Sequence, residues 1–182
     1  QVSGAPKCSL IMEAFCWDSG IKMAVSARRA DLTVASDAQT VLAVWSEYCA
    51  DPNAGGEAPS EHVKANLIQE MIKRGVHCFL GFYGDEPAGV AIAMENFTTF
   101  HCKSLLNIHD FGVLTPFRRK GLGQAMLKVI EEWTREQGDY VKITLECLEN
   151  NKPAWDGYVK YGFKPYTLHP LLGSAVELQK YL

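Results

Sequence analysis

The stretch Asp110-Phe111-Gly112-Val113-Leu114-Thr115-Pro116-Phe117-Arg118-Arg119-Lys120-Gly121-Leu122-Gly123-Gln124 decides how this chain is read. A strand-like run feeds a basic turn bearing Gly121 and Gly123, and an amphipathic helix opens directly after it. Helix N-termini carry unpaired N–H groups and the positive end of the macrodipole. Glycines let those N–H groups approach an anion, and Arg118, Arg119 and Lys120 supply countercharge, so the stretch is suited to an anionic, phosphorylated ligand.

The residues that follow alternate between helical and strand periods. Gly123 to Gln137 forms a helix with Met126, Leu127, Ile130, Trp133 and Thr134 facing inward, and Gly138 ends it. Tyr140 to Leu148 alternates, with Val141, Ile143, Leu145 and Cys147 on one face. Asn150 or Asn151, with Pro153 in the first turn, starts a short helix to Tyr161, and Lys164 to His169 and Ala175 to Leu182 read as final strands.

Upstream, Lys22 to Ala30 reads as a first strand, and Ser36 or Asp37 caps a helix carrying Val41, Leu42, Trp45, Tyr48 and Cys49. The segment from Asp51 to Ser60, rich in Pro, Gly and Asn, is a loop. Ser60 caps a second helix with Val63, Leu67, Ile68, Met71 and Ile72 on one side and Gly75 as its stop. His77 to Tyr83, Ala88 to Phe100 and Leu105 to Leu114 are three successive strands, the first two joined by a Gly84-Asp85-Glu86-Pro87 turn. Such an order predicts a mixed sheet with helices on both faces.

The totals bound what this sheet can serve. A length of 182 residues fits one domain, and 47% hydrophobic with 21% charged residues is globular composition. Eighteen Lys and Arg against 21 Asp and Glu give a net charge of −3, which argues against a nucleic-acid partner and leaves the local basic turn as the informative feature. No apolar run reaches the roughly 18 to 20 residues of a membrane span. Residues 1–21 read as an N-terminal leader or extension that faintly imitates a signal peptide, with Met12 and Met23 as candidate starts, and 22–182 as a single domain. The six cysteines lack Cys-x-x-Cys or framework spacing, so reduced thiols in a cytoplasmic protein are expected. His77-Cys78 and His101-Cys102 alternate faces if they lie on strands, and no metal site is expected.

The turn Arg118-x-x-Gly121-x-Gly123 is weakly specific alone; it is neither a Walker loop nor the dinucleotide Gly-x-Gly-x-x-Gly. A second element raises it: Asn151-x-x-Ala154-x-x-x-Tyr158-x-x-x-Gly162-Phe163, directly after the strand around Ile143. Together the two resemble the GNAT superfamily of N-acetyltransferases, whose acyl-coenzyme A site has a strand, an Arg/Gln-x-x-Gly-x-Gly/Ala turn, a helix, another strand and an Asn-to-Tyr-to-Gly-Phe helix. The element order from about Lys22 to Leu182 agrees with that fold. The resemblance implies an α/β (mixed α+β) fold with a central, mostly antiparallel sheet flanked by helices.

It also implies roles. The backbone of Arg119, Lys120, Gly121, Leu122, Gly123 and Gln124 would hold the coenzyme A pyrophosphate, with Arg118 or Lys120 pairing nearby charge. Val113, with Leu114 beside it, stands where the family's fourth strand offers backbone groups to the pantetheine arm, and the Gly112 and Val113 amides are candidates for polarising the thioester carbonyl. An ordinary ladder strand would pair those amides internally. Tyr158 matches the tyrosine that protonates the departing thiolate, and Asn151, by default a helix cap, also contacts coenzyme A by resemblance. His109 stands where many relatives, the spermidine/spermine acetyltransferases included, have a glutamate; its imidazole is suited to accept the amine's proton. Asp110, on the opposite face of a regular strand, is the rival only if the register differs.

The expected function is acetyl transfer from acetyl-coenzyme A, as cosubstrate, to a primary amine of a small molecule or peptide by direct attack, without a metal, with a homodimer as the candidate assembly. The acids Glu47, Asp51, Glu57 and Glu61 suit a polyamine or aminoglycoside acceptor and equally suit solubility. The competing readings are a non-catalytic acyl-coenzyme A binding or sensing module and a nucleotide-binding protein using the same turn.

Overall fold

A computed structural model describes residues 12–18, 21–167, 169, 171 and 178–181. The chain divides into two compact units, one running to Glu146 and the other from Cys147 to Leu182. In the first unit the order is β1 (Met12–Asp18), β2 (Ile21–Ala30), α1 (Ala35–Cys49), α2 (Glu61–Lys73), β3 (His77–Tyr83), β4 (Glu86–Thr98), β5 (Lys103–Val113), α3 (Leu122–Gln137) and β6 (Tyr140–Leu145). The described strands make one six-stranded sheet in the order β1 to β6. Neighbours pair antiparallel up to β5, whereas β5 and β6 run parallel. Parallel partners need a crossover, and α3 supplies it.

Alternation along the strands divides the core between the two faces. Cys78 and Leu80 of β3 and Val90 and Ile92 of β4 pack with Val41 and Val44 of α1 and Met71 of α2. Phe79 turns the other way, its ring 5.7 Å from that of Trp133 on α3. On the same face the Met126 side chain lies over Gly81 and Gly89, filling the space a Cβ would take at either. Helices thus cover both faces, as expected. Leu122, Met126, Val129 and Ile130 form the buried stripe of α3, each at most 1% exposed. His77 rests on the Trp133 ring at 4.5 Å while its neighbour Cys78 is buried with α1, so the two face apart as strand alternation requires.

Several boundaries differ from the sequence reading, each for a physical reason. Within the expected extension 1–21, Met12–Asp18 is a strand in register with β2, Met12 opposite Ala27 and Asp18 opposite Ile21. The apolar run from Leu10 to Trp17 is signal-like in composition, yet its part from Met12 pairs as a strand where β2 offers an edge. β4 begins at Glu86, so Pro87 lies inside a strand; the ladder with β3 is irregular at Gly81/Phe82, the setting in which a residue without an N–H is tolerated. Neither Ser36 nor Asp37 caps α1, whose N-cap is Val34. The Asp37 carboxylate accepts instead from Arg28 at 2.6 and 2.8 Å and from the Asp31 N–H at 2.8 Å, tying the start of α1 to β2. Ser60 does cap α2, its Oγ accepting from the Val63 N–H.

In the second unit, α4 (Lys152–Tyr161) begins as the sequence indicated. Asn151 is its N-cap, with Oδ1 accepting from the Ala154 N–H at 3.4 Å, and Gly162 ends it at φ 120°. Residues 164–167 are not a strand, and neither are 178–181; the rest of the two expected final strands lies outside the described residues. Among the described residues, no helix is long and apolar enough to cross a membrane.

Candidate active site

β5 carries the features that set the site apart. Its ladder with β4 runs to Val113 opposite Gly89, but its ladder with β6 stops at Ile108 opposite Leu145. Among the described residues, therefore, β5 from His109 to Val113 has a strand on one edge only, and on the other edge side chains supply partners, Tyr48 meeting the Phe111 backbone and Arg118 the Val113 carbonyl. The parity of the ladder says which groups these are. The Leu114 N–H donates to the Ala88 carbonyl at 2.9 Å. Backbone groups alternate edges along a strand, so Gly112 likewise faces β4, opposite Val90, while Val113 faces the open edge. The expected Gly112–Val113 amide pair is narrowed to the Val113 amide. Leu114, whose carbonyl also accepts from the Phe117 N–H, has both backbone groups engaged within the chain and serves as a wall.

Gly112 matters for a different reason. A Cβ built on it would sit 2.2 Å from Cδ2 of Tyr48, because the tyrosine ring of α1 lies directly on the strand backbone. The tyrosine lines a cavity of about 230 Å³ together with Glu47 and Asp51 from α1 and the loop after it and Val113, Thr115 and Arg118 from the end of β5 and the turn that follows. A pocket of this size at the end of β5, beside the Val113 amide, is large enough for a small acyl group and the head of an acceptor.

The strand is also bulged at the candidate base. The register passes from Ile92 opposite Asp110 to Ala93 opposite Ile108, so His109 is an extra residue with no partner. A bulge re-aims side chains, and this one removes the strict alternation on which the contrast between His109 and Asp110 rested. His109 is exposed. Asp110 is half-buried among α1 side chains and accepts a long 3.4 Å hydrogen bond from Nε1 of Trp45. Burial pushes its carboxyl above the ordinary range, against the opposing pull of His109 and of the Trp45 bond. Burial likewise pushes Tyr48 up to about 12, with the Asp110 charge adding to it, so Tyr48 remains a phenol at neutral pH. The sequence did hold a sign of the bulge: Leu106 and Ile108 keep period two, but the next apolar residues of that face, Phe111 and Val113, come three positions on.

After β5 the chain makes a 3-10 turn, Thr115–Phe117, and enters the basic turn. Arg119 has φ 61° and Gly121 φ 87°, both left-handed. At Gly121 that conformation comes without strain, and having no side chain it provides no cap for α3. The first intrahelical bond is Ala125 N–H to the Gly121 carbonyl at 3.1 Å. The amides before it in the first turn are the donors that suit a phosphate. Arg119 is exposed beside them, and Lys120 lays its ammonium over the Tyr83 ring, 4.5 Å from the centroid. Leu122 anchors the helix start at 1% exposure. Arg118 is engaged elsewhere: Nε donates to the Val113 carbonyl at 2.8 Å and Nη2 to Oδ2 of Asp51 at 2.6 Å.

In the second unit Tyr158 is half-buried on α4 and meets the Phe163 ring edge-on at 5.9 Å. Its spacing to Asn151 follows from the helix it shares with the cap. Among the described residues no group of three or more His, Cys, Asp or Glu is placed to hold a metal ion, and Cys49, Cys78, Cys102 and Cys147 are free thiols.

Comparison with known proteins bears on this geometry. The model of the acetyltransferase (GNAT) family matches residues 41–163. The chain is 31% identical over 88 residues to thialysine N-epsilon-acetyltransferase of Caenorhabditis elegans, covering 48% of this chain and 54% of that protein. It is 28% identical over 95 residues to the probable N-acetyltransferase san of Drosophila melanogaster, covering 52% and 50%. The chain thus spans about half the length of the curated relatives it matches. Among solved structures it resembles an aminoglycoside acetyltransferase from an uncultured soil metagenomic sample, with a TM-score of 0.68 at 13% identity over 87% of this chain and 96% of that one. A ribosomal-protein-alanine N-acetyltransferase of Brucella melitensis biovar Abortus 2308 gives a TM-score of 0.57 at 13% identity over 87% and 97%. At such identities the structural likeness bears on the fold alone, and it is the family match over most of the chain that decides the assignment: the chain belongs to the GNAT family of acetyltransferases.

Proposed function

We propose that the protein transfers an acetyl group from acetyl-coenzyme A to a primary amine of a small molecule or peptide by direct attack, both substrates being bound together. One observation carries this reading: the edge of β5 near Val113, which no described strand pairs, leads through the basic turn to the start of α3, which no side chain caps. An extended, amide-bearing thioester suits the first, and its pyrophosphate suits the second. The residues fit that cosubstrate. Amides of Arg119 to Gln124 would hold the pyrophosphate, with Arg119 and Lys120 adding charge, and the Val113 amide would meet the thioester end of the pantetheine arm. Asn151 would add a contact from α4. When bound, acetyl-coenzyme A supplies an electrophilic carbonyl and a thiolate leaving group.

The chain's own residues handle charge and protons. The Val113 amide donates to the carbonyl oxygen as negative charge develops, a placement worth most where water is excluded. The amine must shed its proton first: with a pKa near 10.4 it is neutral about once in two thousand at pH 7, a deficit of roughly 4.6 kcal/mol. Asp110 is the base in this reading, because its burial makes it a better proton acceptor than an ordinary carboxylate. Exposed His109, beside it at the bulge, passes the proton to solvent. Tyr158, with a reference pKa near 10, gives a proton to a thiolate whose own is about 8.5.

The test is an amine panel with acetyl-coenzyme A, read as free thiol. Amine-dependent thiol release supports the reading. Binding of coenzyme A without turnover on any amine, with Tyr158→Phe silent, would instead favour a sensing module.

A further inference from the structure

Arg118 opens the phosphate-type turn, but its guanidinium is directed away from it. We infer that Arg118 is a positioning residue that fastens the 51–57 loop to the end of β5 and so fixes the wall of the acceptor cavity. The inference rests on the acetyl-transfer reading for its functional meaning, while the clamp itself stands on geometry alone.

Asp51 is the hub of that loop. Its carbonyl accepts from the N–H groups of Ala54 at 2.8 Å and Gly56 at 3.0 Å, and its own N–H donates to the Tyr48 carbonyl at 2.9 Å. Its Oδ1 accepts from the N–H of Asn53 at 2.9 Å and from Nδ2 of Asn53 at 3.0 Å. Oδ2 reaches out of the loop toward β5 and accepts from Arg118 at 2.6 Å. The same guanidinium donates through Nε to the Val113 carbonyl. The rigid fork of an arginine therefore joins two backbone features, the loop after α1 and the last residue of β5, that both line one cavity. The Asp51 side chain is 13% exposed and that of Arg118 38%, so the pair is partly screened by solvent and serves to hold geometry more than to add stability.

This arrangement has a consequence for catalysis. The Val113 carbonyl and amide belong to the residue that faces the open edge, so whatever fixes that carbonyl also fixes the direction of strand end and acyl site. The loop, in turn, carries Asp51 and Pro52 into the acceptor side of the cavity. Misplacing a reacting group by about 1 Å can cost a hundredfold in rate, and a two-point clamp is a way to prevent it. A lysine carries the charge but cannot make both bonds in this planar geometry.

The test compares Arg118→Lys, Arg118→Gln and Asp51→Asn with the unaltered chain. Two readouts are taken: steady-state KM for acetyl-coenzyme A and for the amine, and hydrogen exchange of the Ala54 and Gly56 amides. The clamp predicts faster exchange at both amides in every variant. It also predicts an amine KM raised roughly tenfold or more, with coenzyme A affinity changed less than about twofold. Arg118→Lys should resemble Arg118→Gln, and a double variant combining Arg118→Gln with Asp51→Asn should be no worse than either single one. The inference is overturned if Arg118→Gln weakens coenzyme A binding strongly, Arg118→Lys restores it, and the two amides exchange as before; Arg118 is then a phosphate ligand. Should no amine be acetylated at all, the proposed function fails, and amide exchange alone still decides whether the clamp exists.

Discussion

Replacing Gly112 with alanine tests the packing of the site through one methyl group. The added carbon would stand 2.2 Å from Cδ2, 2.7 Å from Cε2 and 2.8 Å from Cγ of Tyr48. Carbon atoms rest about 3.5 to 4.0 Å apart, so the ring must retreat by more than about 1.3 Å. It has little room to do so, because Val41 and Val44 hold α1 in the core at 0% and 5% exposure. Overpacking of this kind costs about 1–3 kcal/mol, which for a chain of this size lowers Tm by roughly 3–10 °C. The ring's way out leads toward the cavity it lines, so the amine KM should rise as well. Thermal melts of Gly112→Ala, Tyr48→Ala and the double variant measure the coupling. Alanine at 112 should cost almost nothing once the ring is gone, giving a coupling of about 1–3 kcal/mol. The reasoning is refuted if Gly112→Ala melts like the unaltered protein, or if its penalty is undiminished on the Tyr48→Ala background. Alanine keeps the 112 amide, so a position that mattered only as a backbone donor would show no effect.

Further outcomes follow from the charges and the turn. Asp110 has a raised folded pKa, so the folded state holds its proton more tightly than the unfolded state does, and ionisation costs stability above that pKa. Asp110→Asn should therefore raise Tm at neutral pH but not near the ordinary carboxylate value of about 3.9, while kcat falls and the acid limb of the pH–rate profile disappears; retention of that limb would move the base to His109. Asp37 is depressed, chiefly by its bond to Arg28, so it stabilises the fold above the ordinary carboxylate range and that stability is lost as pH falls through the folded value. Asp37→Ala should cost about 1–3 kcal/mol near neutral pH, with the difference closing in acid. Tyr158→Phe should lower kcat by about a hundredfold, with coenzyme A affinity unchanged. Gly121→Ala places a Cβ at φ 87° and should weaken coenzyme A binding in a titration more than it lowers Tm, since nothing lies within 4 Å of the new carbon.

The parts of this fold that were legible in the sequence are those that local physics dictates. α3 follows from an apolar stripe at helical spacing, the cap of α2 from Ser60, the start of α4 from Asn151 and Pro153, and the β3–β4–β5 meander from period two. What escaped depends on partners far along the chain. Asp37 looks like a cap until Arg28 of β2 is beside it, and Arg118 looks like a phosphate ligand until Asp51, 67 positions away, is found on its guanidinium. Met12–Asp18 has the composition of a leader, and only the edge of β2 makes it a strand. The bulge at His109 lies between these cases. Its trace was present in the three-residue step from Ile108 to Phe111, but a strand read with strict alternation hides it, and with it the buried side of Asp110.

In the proposed function, the end of β5 and the turn after it bind acetyl-coenzyme A and pass its acetyl group to an amine. The most direct measurement is thiol release from acetyl-coenzyme A across a panel of polyamine, aminoglycoside, amino-acid and peptide amines, with the acetylated product identified by mass. The account predicts that at least one amine class accelerates thiol release in proportion to enzyme and appears with one acetyl group added. If no amine does so, while ATP or a dinucleotide displaces coenzyme A from the turn, the proposed acetyl transfer is contradicted.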